Sequence, residues 1–311
     1  MLFGEIAIHP DCLQPSIERL IDLDSRFGFR RGALISNLPR RLWAEFKVKV
    51  IENLINGEGI ESKVAEEILV RLENAFVKFG RTDLEIQNWL VDINKQHAQL
   101  KFHTIVSTCG GQNTCHYMQL NQRLQNLGDD KDTPKDAEKF IAAAFPLIKV
   151  SKTISFIDPY IYINRDADTW KSTYIPFFKS LFAKLKENGA RKVVEIHKED
   201  RTNQANGELI SVDQQKALFA EFLKEYCPQN IEVNVFWWDD NKTNAIHARH
   251  IVSEIGAIKF DSGFPQPFDL DKKKQPIDMS VVQAPRSIKA LLAQYDPFDS
   301  EMTLVTQLTI N

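Results

Sequence analysis

Apolar residues recur at two different periods along this 311-residue chain, and the period changes near its middle. In the first 126 residues helical spacing dominates. The opening stretch from Leu2 to Ile8 alternates like a short strand, after which Pro15 and Ser16 open a helix with Ile17, Leu20 and Ile21 at helical spacing, stopping near Gly28. Pro39 precedes a second helix carrying Leu42, Trp43, Phe46, Val50 and Leu54 on one stripe and ending at Asn56-Gly57. Ser62 is expected to cap a third, with Val64, Ile68, Leu72, Phe76 and Phe79 inward and Gly80 as its stop. A fourth helical stretch bears Leu84, Trp89, Leu90 and Ile93, and residues 101–109 read as a strand running into Gly110-Gly111.

Residues 127–136 contain no apolar side chain beyond Leu127 and read as a linker, with Thr133 and Pro134 starting the next helix. From Thr153 onward strands and helices alternate. The segment 153–163 is rich in β-branched and aromatic residues, with Asp158 and Pro159 where a strand should end or bend. An amphipathic helix over 175–190 turns Phe178, Leu181, Phe182 and Leu185 inward and stops at Gly189; a strand over 191–200, a helix over 211–228 and a strand over 230–240 follow. Residues 278–283 and the strictly alternating 302–310 read as further strands, the latter at a sheet edge or across a dimer, with a helix over 287–295 between them.

This order predicts an α/β protein with two domains: residues 1–132 mainly helical, and residues 133–311 built on a parallel sheet with helices packed on its faces. The carboxyl ends of those strands collect Asp158, Tyr160, His197 and the segment after Trp238, where open α/β sheets bind ligands.

Composition narrows the function. With 43% hydrophobic and 26% charged residues, a net charge of −3 and a pI near 6.2, the chain has no global polycation for nucleic acid, so an anionic partner has to be met by a local patch. The pairs Arg30-Arg31 and Arg40-Arg41, with Lys47 and Lys49, are either a solvated face or such a patch, and Lys272-Lys273-Lys274 is the basic run nearest the chemistry described below. No apolar run approaches the roughly 20 residues that span a bilayer, and the amino terminus lacks the pattern of a secretory signal, so a cytoplasmic protein is expected. Four scattered cysteines match neither a disulfide framework nor a paired zinc knuckle; Cys109, Cys115, His116 and His103 fit no common zinc spacing, and neither metal nor cofactor is expected.

The candidate chemistry lies in Ile246–Phe264. His247 and Arg249 stand two apart at the start of a short apolar strand, so alternation sends both to one face. An imidazole can attack or transfer a proton while the adjacent guanidinium holds anionic oxygens, a pairing suited to phosphate. His250 falls on the opposite face and reads as packed or exposed, Trp237-Trp238 reads as core and rim packing or as a stacking platform, and His197 is either a second imidazole or a polar strand end.

The succession from Thr153 to about Pro267, a strand ending in Asp158-Pro159-Tyr160, helix, strand, helix, strand, then a hairpin carrying His247-x-Arg249, resembles one half of the phospholipase D superfamily. His247, Arg249 and Glu254 stand at the positions of its His-x-Lys-x4-Asp signature, and Asp261-Ser262-Gly263 where the family has a small Gly-Ser motif. The hairpin is also similar to the phospholipase D-like carboxyl-terminal domain of proteins with a microtubule-interacting-and-trafficking domain, which keeps the fold without catalysis. The resemblance implies a metal-independent phosphodiesterase in which His247 is the nucleophile or general acid, Arg249 binds non-bridging oxygens, and Glu254 replaces the family aspartate. Asp158, Tyr160, His197 and Ser262 would line the site. Alternation puts Glu254 on the face opposite His247 unless a turn near Gly256 intervenes. A single motif implies a homodimer that brings two histidines together.

Two functions follow from this resemblance. One is a nuclease of a prokaryotic defence or mobile-element system, acting on DNA or RNA. The other is a catalytically inactive phospholipase D-like module that binds a protein, nucleic acid or lipid partner, the protein partner belonging to a multi-subunit system, its helical first half serving for recruitment.

Overall fold

A computed structural model describes residues 1–36, 38–54, 59–77, 81, 86–108, 114–133, 136–161, 163, 170–200, 210–239, 249–261 and 276–310. The chain divides into two compact units, Met1–Asp129 and Asp130–Asn311.

The first unit is an α/β structure in its own right. Strands β1 (Gly4–Ile8), β2 (Ala33–Ser36), β3 (Phe76–Val77), β4 (Thr104–Ser107) and β5 (Cys115–His116) form a parallel sheet in the order β3-β2-β1-β4-β5. Helices α1 (Ile17–Arg26), α2 (Arg40–Leu54) and α3 (Gly59–Asn74) supply Leu20, Leu23, Trp43, Phe46, Val50, Ile68, Leu69 and Leu72 to a core shared with Ile6, Ile8, Ile35 and Val106. The opposite sheet face carries Ala7 and Ile105 against Trp89 and Ile93 of α4 (Trp89–Gln99). A short α5 (Leu120–Leu124) follows β5.

The expectation of a mainly helical first region therefore needs a sheet added. Strands as short as Phe76–Val77 leave no readable period, and β2 is buried at every position, which hides the alternation. Helix α3 ends at Asn74, two residues before Phe76 enters β3, and Val64, Ile21 and Leu90 point to solvent instead of inward.

Glu5 lies mid-strand on the α4 face yet is mostly buried, and its carboxylate is held by both Arg81 Nε (2.8 Å) and Nη2 and by the Ser36 hydroxyl. Arg81 in turn stacks 3.5 Å above the Phe102 ring and donates to the Leu100 carbonyl at 2.7 Å, so a charge pair is fully answered inside the unit.

In the second unit, β6 (Asp129–Thr133) runs through what the sequence suggests is a linker and forms the edge of an eight-stranded sheet ordered β13-β9-β8-β7-β10-β11-β12-β6. A strand of Asp and Lys has no apolar signature, and as a sheet edge it needs none. Helix α6 (Ala137–Val150) starts with Asp136 as its cap, and β7 (Thr153–Ile157), β8 (Lys192–Glu199) and β9 (Ile231–Asp239) are mutually parallel. Their crossovers are α7 (Ile175–Asn188), stopped by left-handed Gly189, and α8 (Val212–Tyr226), opened by a reciprocal capping box of Ser211 and Gln214.

Antiparallel to β7 runs β10 (Arg249–Ser253), hairpin-paired with β11 (Gly256–Phe260), which pairs β12 (Ile277–Val281). Helix α9 (Pro285–Gln294) follows, and β13 (Thr303–Ile310) pairs antiparallel with β9 at the other edge.

One sheet face packs on an aromatic network: Phe140 meets Phe177 and Phe260, Phe156 meets Phe177, and Phe178 meets Phe219, each pair with ring centroids 5.2–5.9 Å apart and near edge-to-face. Each such pair adds about 0.5–1.5 kcal/mol beyond its area burial. The other face carries Ile157, Phe236, Trp238, Val252 and Ala257 beneath Ile288 and Tyr295.

Among the glycines, Gly32 carries a clear conformational demand. Its φ is +68°, and a Cβ there would stand 2.3 Å from the Leu2 carbonyl oxygen and 2.4 Å from the Gly128 nitrogen, both backbone atoms. Gly32→Ala is expected to lower stability by about 2–3 kcal/mol or more, measured as a fall in urea midpoint at unchanged slope; a loss below half a kcal/mol would contradict this account.

Candidate functional site

The site is built where β7 stops. Asp158 donates its amide to the His197 carbonyl, the last rung of the β7–β8 ladder, and Pro159 then has no N–H to continue it. The Asp158 carboxylate bends back to accept the Tyr160 amide at 2.9 Å, an Asx turn that aims the chain off the sheet. Tyr160 is held by a second lock: its carbonyl accepts the Tyr174 hydroxyl at 2.7 Å, from the π-helical turn Trp170–Tyr174 that precedes α7.

Arg249, the first residue of β10, faces this corner. Its Nε lies 3.4 Å from Asp158 Oδ1, its Nη1 donates to the Asp261 carbonyl at 3.1 Å, and its guanidinium sits 4.6 Å from the Tyr160 ring centre. Asp158 is completely buried while the Arg249 side chain keeps 20% exposure. A buried carboxylate requires such a partner, and the Arg249 side chain is only partly enclosed. The chemical capacity is that of an anion-holding cation with a fixed plane, backed by an aromatic face.

The structure brings together Asp158, Tyr160 and Arg249 of the residues anticipated from sequence. His247 and Ser262 lie outside the described residues. His197 and Glu254 are not part of this cluster, for two different reasons.

His197 pairs with Ile157 in β8 register, so its ring lies on the α9 face, opposite the Asp158–Arg249 side. There it stacks on Phe236 (4.8 Å, 14°) and meets Tyr295 edge-on at 5.2 Å. Its Nδ1 accepts the Trp238 indole N–H at 3.1 Å, which places the ring proton on Nε2, 3.6 Å from Glu195 Oε2. Burial lowers its pKa, with the Glu195 carboxylate opposing that shift. It is a neutral core histidine. His250 occupies the same face, in register with Ile157, and is buried as well.

Glu254 sits at the far end of β10. Ser253 pairs with Gly256, leaving Glu254 and Ile255 as a two-residue hairpin tip, about 16 Å along the strand from Arg249. Its Oε1 accepts the Lys152 amide at 2.8 Å at the start of β7. The turn near Gly256 that would have carried Glu254 back to the site instead carries it away. The role for it implied by the resemblance is therefore corrected to one of securing the strand entry.

Sequence alone did not single out Tyr174, whose hydroxyl meets the Tyr160 carbonyl 14 residues away. It singled out Asp261 for its acid, whereas it is the Asp261 backbone carbonyl that accepts from Arg249.

No family model matches this chain, and no curated protein matches it. The site therefore rests on its own geometry. Among the described residues no helix is long and apolar enough to cross a membrane, and no group of three or more metal-ligating side chains occurs.

Because the folded His197 has a lowered pKa, the unfolded chain binds more protons below the ordinary histidine value, so its stabilising contribution is present above about pH 6.5 and lost as pH falls. Wild type should lose stability relative to His197→Gln by up to about 1.4 kcal/mol per pH unit between pH 6 and 5, read from urea midpoints; parallel pH profiles would refute a buried neutral ring. Glu254→Ala should cost about 1 kcal/mol of stability through the lost Lys152 contact, and no cost would mean that the hairpin tip does not anchor β7.

Proposed function

We propose that residues 130–311 form a phospholipase D-like phosphodiesterase unit, acting on nucleic acid backbones without a metal ion. The observation that carries this reading is Arg249, fixed by Asp158 and Tyr160 at the carboxyl edge of β7 with its side chain 20% exposed. His247 lies outside the described residues, and its place beside Arg249 is taken from the sequence spacing alone. In this reading a His247 ring nitrogen attacks phosphorus while Arg249 holds the non-bridging oxygens, and the bond to the leaving oxygen breaks. His247 of the partner subunit, in a two-fold dimer, protonates that oxygen. Water then cleaves the phosphohistidine, releasing the phosphate product and restoring the imidazole.

A second reading has its own support. Arg249 is already engaged by a buried carboxylate, and Glu254 is remote from it, as expected of a module that kept the fold and binds an anionic partner without turnover. Incubating the pure protein with DNA, RNA or a bis-phosphodiester in EDTA separates the two. Cleavage that falls at least about 100-fold in His247→Ala supports the enzyme. Cleavage unaffected by that substitution removes it, and a protein that binds oligonucleotide with Arg249-dependent affinity but never turns over favours the module.

A further inference from the structure

The first unit carries an arrangement that the reading above leaves unused. Its sheet runs β1 to β2 to β3 in one direction and β4 to β5 in the other, so the connection reverses between β1 and β4, the place where open parallel sheets bind ligands beyond their carboxyl ends. Three polar residues occupy one row at that edge. The ladder pairs Ile8 with Val106 and the His9 amide donates to the Val106 carbonyl, which brings His9 beside Ser107; Ser107 in turn pairs with His116. His9 meets the Trp89 ring edge-on at 4.9 Å, which places it on the α4 face with Ile105 and hence with Ser107.

The two histidines are held in the same way. Each precedes a short 3-10 turn with nearly identical backbone angles (φ −64°, ψ 138° and φ −66°, ψ 138°), and each Nδ1 accepts the backbone N–H two residues on, Asp11 for His9 at 3.2 Å and Met118 for His116 at 3.3 Å. An Nδ1 that accepts leaves the ring proton on Nε2. The Asp11 carboxylate also lies 3.4 Å from His9 Nδ1, but it is 65% exposed and free to rotate, whereas the amide is fixed by the turn. Between them Ser107 is 4% exposed, and among the described residues its hydroxyl has no hydrogen-bond partner. An unanswered buried hydroxyl is destabilising, and such a group calls for a reason.

We infer that this row, His9, Ser107 and His116, is a binding site for the phosphate group of a small ligand, with two Nε2–H donors flanking one O–H donor. Adjacent strands stand about 4.8 Å apart, so the outer two positions are separated by roughly 10 Å, enough for an oxyanion with a hydrogen bond on either side. The inference does not depend on the activity assigned to residues 130–311.

The test titrates full-length protein with inorganic phosphate, and separately with adenosine 5′-monophosphate, following amide and histidine side-chain NMR signals. Saturable binding with Nε2-protonated histidines is expected. Ser107→Ala should weaken it about tenfold. His116→Asn keeps an acceptor for the Met118 amide but removes the Nε2 donor, so it should weaken binding to a similar degree with the fold intact. Arg249→Gln should leave the affinity read from the His9 and His116 signals unchanged. Absence of saturable binding by both probes, or equal affinity in wild type, Ser107→Ala and His116→Asn, overturns the inference. So does binding lost only in Arg249→Gln, which would assign the phosphate to the second unit.

Discussion

Burial on both faces of β7 and of the carboxyl-terminal halves of β8 and β9 is the constraint from which the second unit follows. There the strands are covered on one side by the aromatic network of α6, α7 and α8 and on the other by α9, with little solvent-facing surface to absorb a register error. A slip of one residue would exchange Phe156 with Ile157 and Ile196 with His197, and every large side chain would meet the wrong partner. That parity also distributes the polar residues. Asp158 and Arg249 fall on the aromatic side at the carboxyl edge, while His197 and His250 fall beneath Tyr295 and Ile288.

The cost of burying polar groups explains why these residues meet polar partners. The Asp158 carboxylate is answered by Arg249 and the Tyr160 amide, His197 by the Trp238 indole, and Glu5 in the first unit by Arg81 and Ser36. Arg249 is therefore a structural counter-ion, and under the proposed reading an incoming anion competes with its hold on Asp158. The buried Ser107 hydroxyl has no hydrogen-bond partner among the described residues, and the same holds for the hydroxyls of Thr133 and Thr173.

The sequence was most legible where an element has one buried and one exposed face. Helix α7 buries Phe178, Leu181, Phe182 and Leu185 as its period indicates, and Gly189 ends it with the left-handed conformation that glycine permits. Legibility failed for short or fully buried strands such as β2 and β3, and for β6, whose Asp and Lys residues carry no strand signal. In the site, Asp158 and Arg249 could be proposed from position at strand ends, but their contact joins residues 91 positions apart.

By itself the sequence determined the α/β alternation after Thr153, the inward face and glycine stop of α7, and the parity that separates His250 from Arg249, because these depend on periodicity and local hydrogen bonding. Tertiary structure alone decided that the first unit holds a parallel sheet, that His197 is a stacked neutral ring in the core, and that the two-residue hairpin carries Glu254 to the opposite end of β10 from Arg249. These outcomes rest on register between distant strands. Register is set by the packing of both faces at once, which no local window of residues contains.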